Sequence, residues 1–256
     1  MVCSCVTVFR CHGGVLEKRG RNLIDMGAVQ EFSGNPHLGQ PVRMAGEPLD
    51  KAQAAMLMLH GRGARAEDIL SIAEQLAQPG FAFLAPQAAG NTWYPNRFLV
   101  ELSENEPWLS SALSLVADTL GQITRAGIRT EQIMLLGFSQ GACLTLEFAA
   151  RNARRYGGIV GLSGALIGPD ETPRDYHGSL AGTPVFLGCS DVDFHVPRER
   201  VDQTSDVLSH LGGKVTKRLY ANMDHSVNQD EIRFVRSMMH SIMRSITQTS
   251  LPNSSE

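Results

Sequence analysis

Between Ile133 and Asn152 the chain reads IMLLGFSQGACLTLEFAARN. A short apolar run leads into Gly137-Phe138-Ser139-Gln140-Gly141, and an Ala-rich helical pattern follows. A serine between two glycines, where a strand gives way to a helix, predicts a sharp turn with a strained serine backbone and an exposed hydroxyl. Bulkier residues at the two flanking positions would collide across that turn. The helix would also direct its positive N-terminal end at the hydroxyl. Gly and Ser are common, so the five residues alone say little. Their place between a strand and a helix makes Ser139 a candidate nucleophile, where a helix-start serine in another context would merely cap.

The rest of the chain supplies a setting for such a turn. AAMLMLHG (54–61), FAFLAP (81–86), IMLLG (133–137), GGIVGLSG (157–164), PVFLGC (184–189) and KVTKRLY (214–220) read as strands, most of them apolar enough to be buried on both faces. Helical periods lie between them. Ala66, Ile69, Ala73 and Leu76 follow the acids Glu67 and Asp68, and Pro79-Gly80 ends that helix. Pro107 opens a second, with Leu109, Leu113, Val116, Leu120 and Ile123 on one face. A helix after Pro197 closes at Gly212-Gly213, and one from about 228 to 244 buries Ile232, Val235, Met239 and Ile242. A short strand around Val42 lies between two turns. Strands that alternate with helices predict a mostly parallel sheet with helices on both faces.

At 256 residues, 43% hydrophobic and 19% charged, the chain suits one α/β domain. Residues 36–246 are read as that domain, 1–35 as a poorly ordered N-terminal extension and 247–256 as a disordered polar tail. A net charge of −3 without a basic block argues against nucleic acid as a partner. No apolar run approaches the ~20 residues of a membrane span, and residues 1–10 do not read as a signal peptide. Five scattered cysteines do not form a disulfide framework, so a cytoplasmic protein is expected. Cys3, Cys5, Cys11 and His12 match no zinc spacing. Oligomeric state is left at monomer or homodimer.

A serine hydroxyl needs a base, and the base an orienting acid. On a sheet of this kind the order along the chain is serine, acid, histidine, each at the carboxyl end of a strand. His225 lies in ANMDHSVNQ, after the last strand and before the last helix. The other seven histidines lie in poorly placed segments or within helices. Asp191 and Asp193, in CSDVDFHVP, both follow the 184–189 strand. Two residues apart on an extended loop, they point opposite ways, and spacing does not choose between them. An oxyanion needs two donors. The backbone N–H of Gln140 is one, and LHGRGA (59–64) places that of Arg62 as the second. His60 is expected to be a buried support, and the Arg62 side chain to be solvated, with attraction of an anionic substrate as the alternative.

With Gly-Phe-Ser-Gln-Gly, His-Gly-Arg-Gly, an Asp ahead of Val-Pro, and Met-x-His-Ser in this order, the chain resembles an α/β-hydrolase. It is similar to the phospholipase/carboxylesterase family, which includes acyl-protein thioesterases, over roughly residues 54–244. The resemblance implies a central, mostly parallel sheet, and no cap domain is expected, because no cap-sized insertion separates the motifs and the longest extra loop is 165–183. It places the family's acid on Asp193, four residues before Pro197, and the second oxyanion donor on Arg62. NTWYPNRF is similar to an aromatic loop that some bacterial members place near the acyl site, so Trp93 and Tyr94 become candidates for substrate binding, against the plainer reading that they are packed. Cys189-Ser190 stand where the family often has His-Gly, which puts the local turn in question.

The expected activity is therefore hydrolysis of carboxylic esters of short or medium acyl length, or of thioesters, by Ser139, Asp193 and His225, with no metal or organic cofactor. Two alternatives stay open: a lactone or other acyl hydrolase on the same fold, and a non-catalytic binding protein that kept the fold.

Overall fold

In the computed structural model, which describes residues 34–249, every apolar run picked out above lies in one sheet. The elements in chain order are β1 (Val42–Gly46), β2 (Ala54–Leu59), α1 (Ala66–Leu76), β3 (Phe81–Pro86), α2 (Trp108–Arg125), β4 (Ile133–Phe138), α3 (Gln140–Arg151), β5 (Gly158–Leu162), β6 (Pro184–Ser190), α4 (Arg198–His210), β7 (Lys214–Tyr220) and α5 (Gln229–Thr249). Short 3₁₀ turns interrupt the connections. The seven strands run in the order β1-β3-β2-β4-β5-β6-β7. All neighbours are parallel except β1, which pairs antiparallel with β3 at one edge, Val42 opposite Pro86.

The apolar runs are unbroken because both faces of the sheet are covered. Every residue of β2 and β3 is buried. Along β2 the side chains alternate. Ala55, Leu57 and Leu59 enter one core with residues of α2, α3 and α4, while Ala54, Met56 and Met58 enter a second core with α1 and α5. The helices therefore cover both faces, as the alternation of elements predicted.

The tail differs from expectation. α5 continues to Thr249, into the stretch read as disordered. The reason is that the period of Val235, Met239 and Ile242 extends to Ile246, which still packs on the second core. At the other end, Asn35 and His37 already bond to Ser111 of α2, so ordered contacts begin before residue 36. Residues 1–33 and 250–256, with the rest of the expected extension and tail, lie outside the described residues.

α3 rides directly on the carboxyl end of β2. A Cβ at Gly141 would lie 2.2 Å from the Leu59 carbonyl oxygen and 2.5 Å from that of His60. A Cβ at Gly137 would lie 2.2 Å from the Gly141 oxygen. These are backbone atoms with no rotamer to swing away. Gly141→Ala is therefore expected to lower the free energy of unfolding by about 3 kcal/mol, the upper end of ordinary overpacking, as read from urea unfolding at an unchanged m-value. A loss below about 1 kcal/mol would mean that the helix is not held at this distance.

Candidate active site

Ser139 joins β4 to α3 with φ 55° and ψ −121°. A non-glycine residue rarely adopts this conformation, which costs about 1–3 kcal/mol. The surroundings hold it: Ser139 N–H donates to the Leu162 carbonyl at 2.9 Å, and Ser139 C=O accepts from Cys143 N–H at 3.0 Å. Its side chain makes no capping bond to α3. The hydroxyl instead lies 2.8 Å from His225 Nε2.

His225 reaches Ser139 from the loop between β7 and α5. Its Nδ1 is 2.7 Å from Asp193 Oδ2. A carboxylate only accepts, so Nδ1 carries the proton and Nε2 is left to accept from the serine. The His225 ring is also flanked by Phe138, with ring centres 5.2 Å apart, and by His195, edge-on at 4.8 Å. Asp193 stands in the loop between β6 and α4, its side chain fully buried. Its Oδ1 accepts from the N–H groups of His195 (2.8 Å) and Val196 (3.1 Å). Burial pushes the carboxyl up, but His225 and the two backbone donors outweigh it and leave it below its ordinary value. Asp191 takes a different partner, the Asn222 N–H at 2.9 Å, and braces the neighbouring loop.

The Cys189-Ser190 pair does not disturb this turn. Ser190 Oγ accepts from Val192 N–H at 3.2 Å. The Cys189 thiol lies 3.8 Å from Asp193 Oδ2. Burial and the nearby carboxylate push that thiol up to about 12, so it stays a neutral donor.

Gln140 and Arg62 flank Ser139. Gln140 opens α3, where the first N–H groups have no partner within the helix. The turn Gly61-Arg62-Gly63 is packed against Ser139: a Cβ at Gly61 would meet the Ser139 Cβ at 3.4 Å. Gly63 N–H donates to Asn91 O and Ala64 N–H to Gly61 O, which leaves the Arg62 N–H without a backbone partner among the described residues. The Arg62 side chain is not simply solvated, contrary to expectation. It donates to Thr92 Oγ1 (3.1 Å), Pro95 O (2.8 Å) and Asn96 O, because the 92–96 loop folds back over it.

That loop also corrects the reading of Trp93. Trp93 is fully buried and does not line the cleft beside Ser139. Its indole N–H donates to His60 O at 2.8 Å, and its ring packs on His60 and His37. The indole is drawn inward because it finds both an apolar bed and an acceptor there. Tyr94 does line the cleft. His60 is a support, as expected. Its Nε2 accepts from Ala88 N–H (3.1 Å), its Nδ1 donates to Gly61 O (2.8 Å), and burial holds its pKa below the ordinary value.

Two contributions escaped the reading of the sequence. The Gln140 side chain accepts from Trp93 N–H (2.9 Å) and Thr92 Oγ1 (3.2 Å) and donates to Tyr94 O (2.7 Å), clamping the aromatic loop to the elbow. His37 accepts from Ala89 N–H (3.0 Å) and donates to Trp93 O (2.9 Å). The Gln in Gly-Phe-Ser-Gln-Gly was a visible signal, although its side chain had no predictable target. His37 lies in a segment with no period at all.

A cleft of about 370 Å³ opens above Ser139, with Tyr94, Phe98, Cys143 and Val196 as its apolar lining. Burial pushes the Cys143 thiol up to about 11, so it stays protonated and is a poor nucleophile. Among the described residues no cluster of His, Cys, Asp or Glu is placed to hold a metal ion, and no helix is long and apolar enough to cross a membrane. Cys3, Cys5, Cys11 and His12 lie outside them.

Comparison with known proteins bears on the same region. Acyl-protein thioesterase 1 of Saccharomyces cerevisiae is 33% identical over 135 residues, 50% of this chain and 58% of that protein. The chain thus spans little more than half the length of this curated relative. The crystal structure of a phospholipase/carboxylesterase from Dyadobacter fermentans is 41% identical, with a TM-score of 0.75, over 80% of this chain and 96% of that one. Zea mays acyl-protein thioesterase 2, 20% identical with a TM-score of 0.62 over 80% of this chain and 99% of that one, shares the fold. The fold is the α/β-hydrolase fold. The family model described as Phospholipase/Carboxylesterase matches residues 43–243, and on this match the chain belongs to the phospholipase/carboxylesterase family.

Proposed function

We propose that the protein hydrolyses acyl esters, thioesters included, through an acyl-enzyme on Ser139. The observation that carries this reading is the unbroken hydrogen-bonded chain from Asp193 to His225 (2.7 Å) to Ser139 (2.8 Å) at the floor of an open cleft. Ser139 Oγ attacks the acyl carbon while His225 Nε2 takes its proton. The Gln140 and Arg62 N–H groups hold the oxyanion, helped by the N-terminal end of α3. His225 then gives the proton to the leaving alcohol or thiol. Asp193 keeps the imidazole in the right tautomer and stabilises its charged form. Water releases the acyl group by the same steps in reverse. The cleft volume and its apolar lining suit a short or medium acyl chain. The names of the relatives, thioesterase and carboxylesterase, support both leaving-group classes.

Hydrolysis of p-nitrophenyl esters from acetate to palmitate tests this reading. Wild type is expected to peak at a short or medium chain, and Ser139→Ala and His225→Ala to lose about 10³-fold or more in kcat. A fluorophosphonate probe should label wild type and not Ser139→Ala. Equal activity in Ser139→Ala and wild type would overturn the proposal.

Asp193 links the site to stability. Its folded pKa lies below the ordinary 3.8, so its stabilising contribution is complete above that value and is lost as pH falls through the lower folded one. Asp193→Asn is expected to flatten the decline of unfolding free energy from about pH 5 to about pH 2, while kcat falls by about 10³–10⁴-fold. An unchanged acid limb would show that the carboxylate is not held as described.

A further inference from the structure

The basic groups that line the cleft are Arg62, Arg97, His195 and His225; its other titratable groups, Tyr94 and Cys143, are kept neutral by burial, and no carboxylate lines it. Asp193 lies buried behind His225, with both oxygens already engaged. Arg62 and Arg97 make no ion pair among the described residues, whereas Arg200, whose guanidinium lies 5.7 Å from the Phe98 ring centre, pairs with Asp170 at 3.1 Å. The hydrogen-bond partners of Arg62 are two carbonyls and a hydroxyl, and its guanidinium lies 5.9 Å from the Tyr94 ring centre; none of these is an anion, so its charge has no counter-ion there. Arg97 is exposed at the rim. Its backbone is pinned, since its carbonyl accepts from Asn105 Nδ2 (3.2 Å) and Asn96 N–H donates to Asn105 Oδ1 (2.9 Å), but its guanidinium makes no hydrogen bond among the described residues.

These groups come from separate connections, 60–65 after β2, 87–107 after β3, 191–197 after β6 and 221–228 after β7, and all line the cleft that holds Ser139. Burial, and then the neighbouring His225 and Arg97, lower the pKa of His195, while Asp193 opposes them. A cleft with one sign of fixed charge focuses its field on whatever enters. A purely apolar ester would leave two guanidinium charges without a counter-ion. A substrate carboxylate would supply one, and a guanidinium fork can take it bidentately.

We propose that the cleft selects acyl esters that carry a second, free carboxylate on the acyl chain, with Arg97 binding that carboxylate and Arg62 adding positive charge beside it. This rests on the reading of Ser139 as an ester hydrolase and narrows its substrate class. Hydrolysis of such a half-ester consumes one water and yields a dicarboxylic acid and the free alcohol or thiol. The product carries one more negative charge than the substrate and is expected to inhibit competitively.

The test compares two esters of one chain length, mono-p-nitrophenyl adipate and p-nitrophenyl hexanoate, alongside fluorophosphonate labelling of Ser139. Wild type is expected to favour the adipate by about 10-fold or more in kcat/KM, the preference shrinking at high salt. Arg97→Gln should cut the adipate-to-hexanoate ratio about 10-fold, mainly through KM, Arg97→Glu should invert it, and Arg97→Lys should keep part of it. Arg62→Gln gives a second, independent reduction of the same ratio. Labelling with hexanoate turned over as well as adipate, or a ratio that ignores Arg97→Glu, overturns the substrate class alone. No labelling and no turnover of either ester overturns the hydrolase reading and this inference with it.

Discussion

The site depends on the absence of side chains where α3 crosses the carboxyl end of β2. Gly141 lets α3 meet the end of β2, and Gly137 lets β4 meet α3, at distances no Cβ would allow. That approach turns the chain so abruptly that Ser139 takes a positive φ, and the same turn lifts its hydroxyl off the sheet. The strain is sustained by the hydrogen bonds to Leu162 and Cys143 and by the two cores packed on either side of the sheet.

A second layer of order follows from that turn. Gln140, the first residue of α3, sends its side chain into the 92–94 loop, and Arg62 from the facing turn bonds the same loop farther along. His60, His37 and Trp93 fill the space beneath it. Each histidine uses one nitrogen as donor and one as acceptor, which suits a neutral ring whose charged form burial disfavours. The loop that borders the cleft is thus fastened to the elbow and to the turn carrying Arg62.

The electrostatics divide along the cleft. Behind His225 lies one buried carboxylate, fully hydrogen-bonded and touched by a neutral thiol. In front lie guanidinium groups with no carboxylate to match them. The first arrangement orients the imidazole toward Ser139, and the second leaves positive charge facing the cleft.

The sequence by itself determined the sheet, because apolar runs of strand length alternating with helical periods can bury themselves only between two helical layers. It also singled out the elbow serine, the histidine after the last strand and a pair of aspartates, since chain order and strand ends are written locally. It misjudged the end of α5, whose last turns carry few apolar residues but still bury Ile246. Spacing left Asp191 and Asp193 open, and the family resemblance pointed to Asp193, which is the one that meets His225. Only the tertiary structure decided that Trp93 turns inward while Tyr94 faces the cleft, and that the Gln140 and Arg62 side chains hold a loop tens of residues away. Those outcomes depend on which donors and acceptors remain available once distant segments pack together, and no local period or motif encodes that.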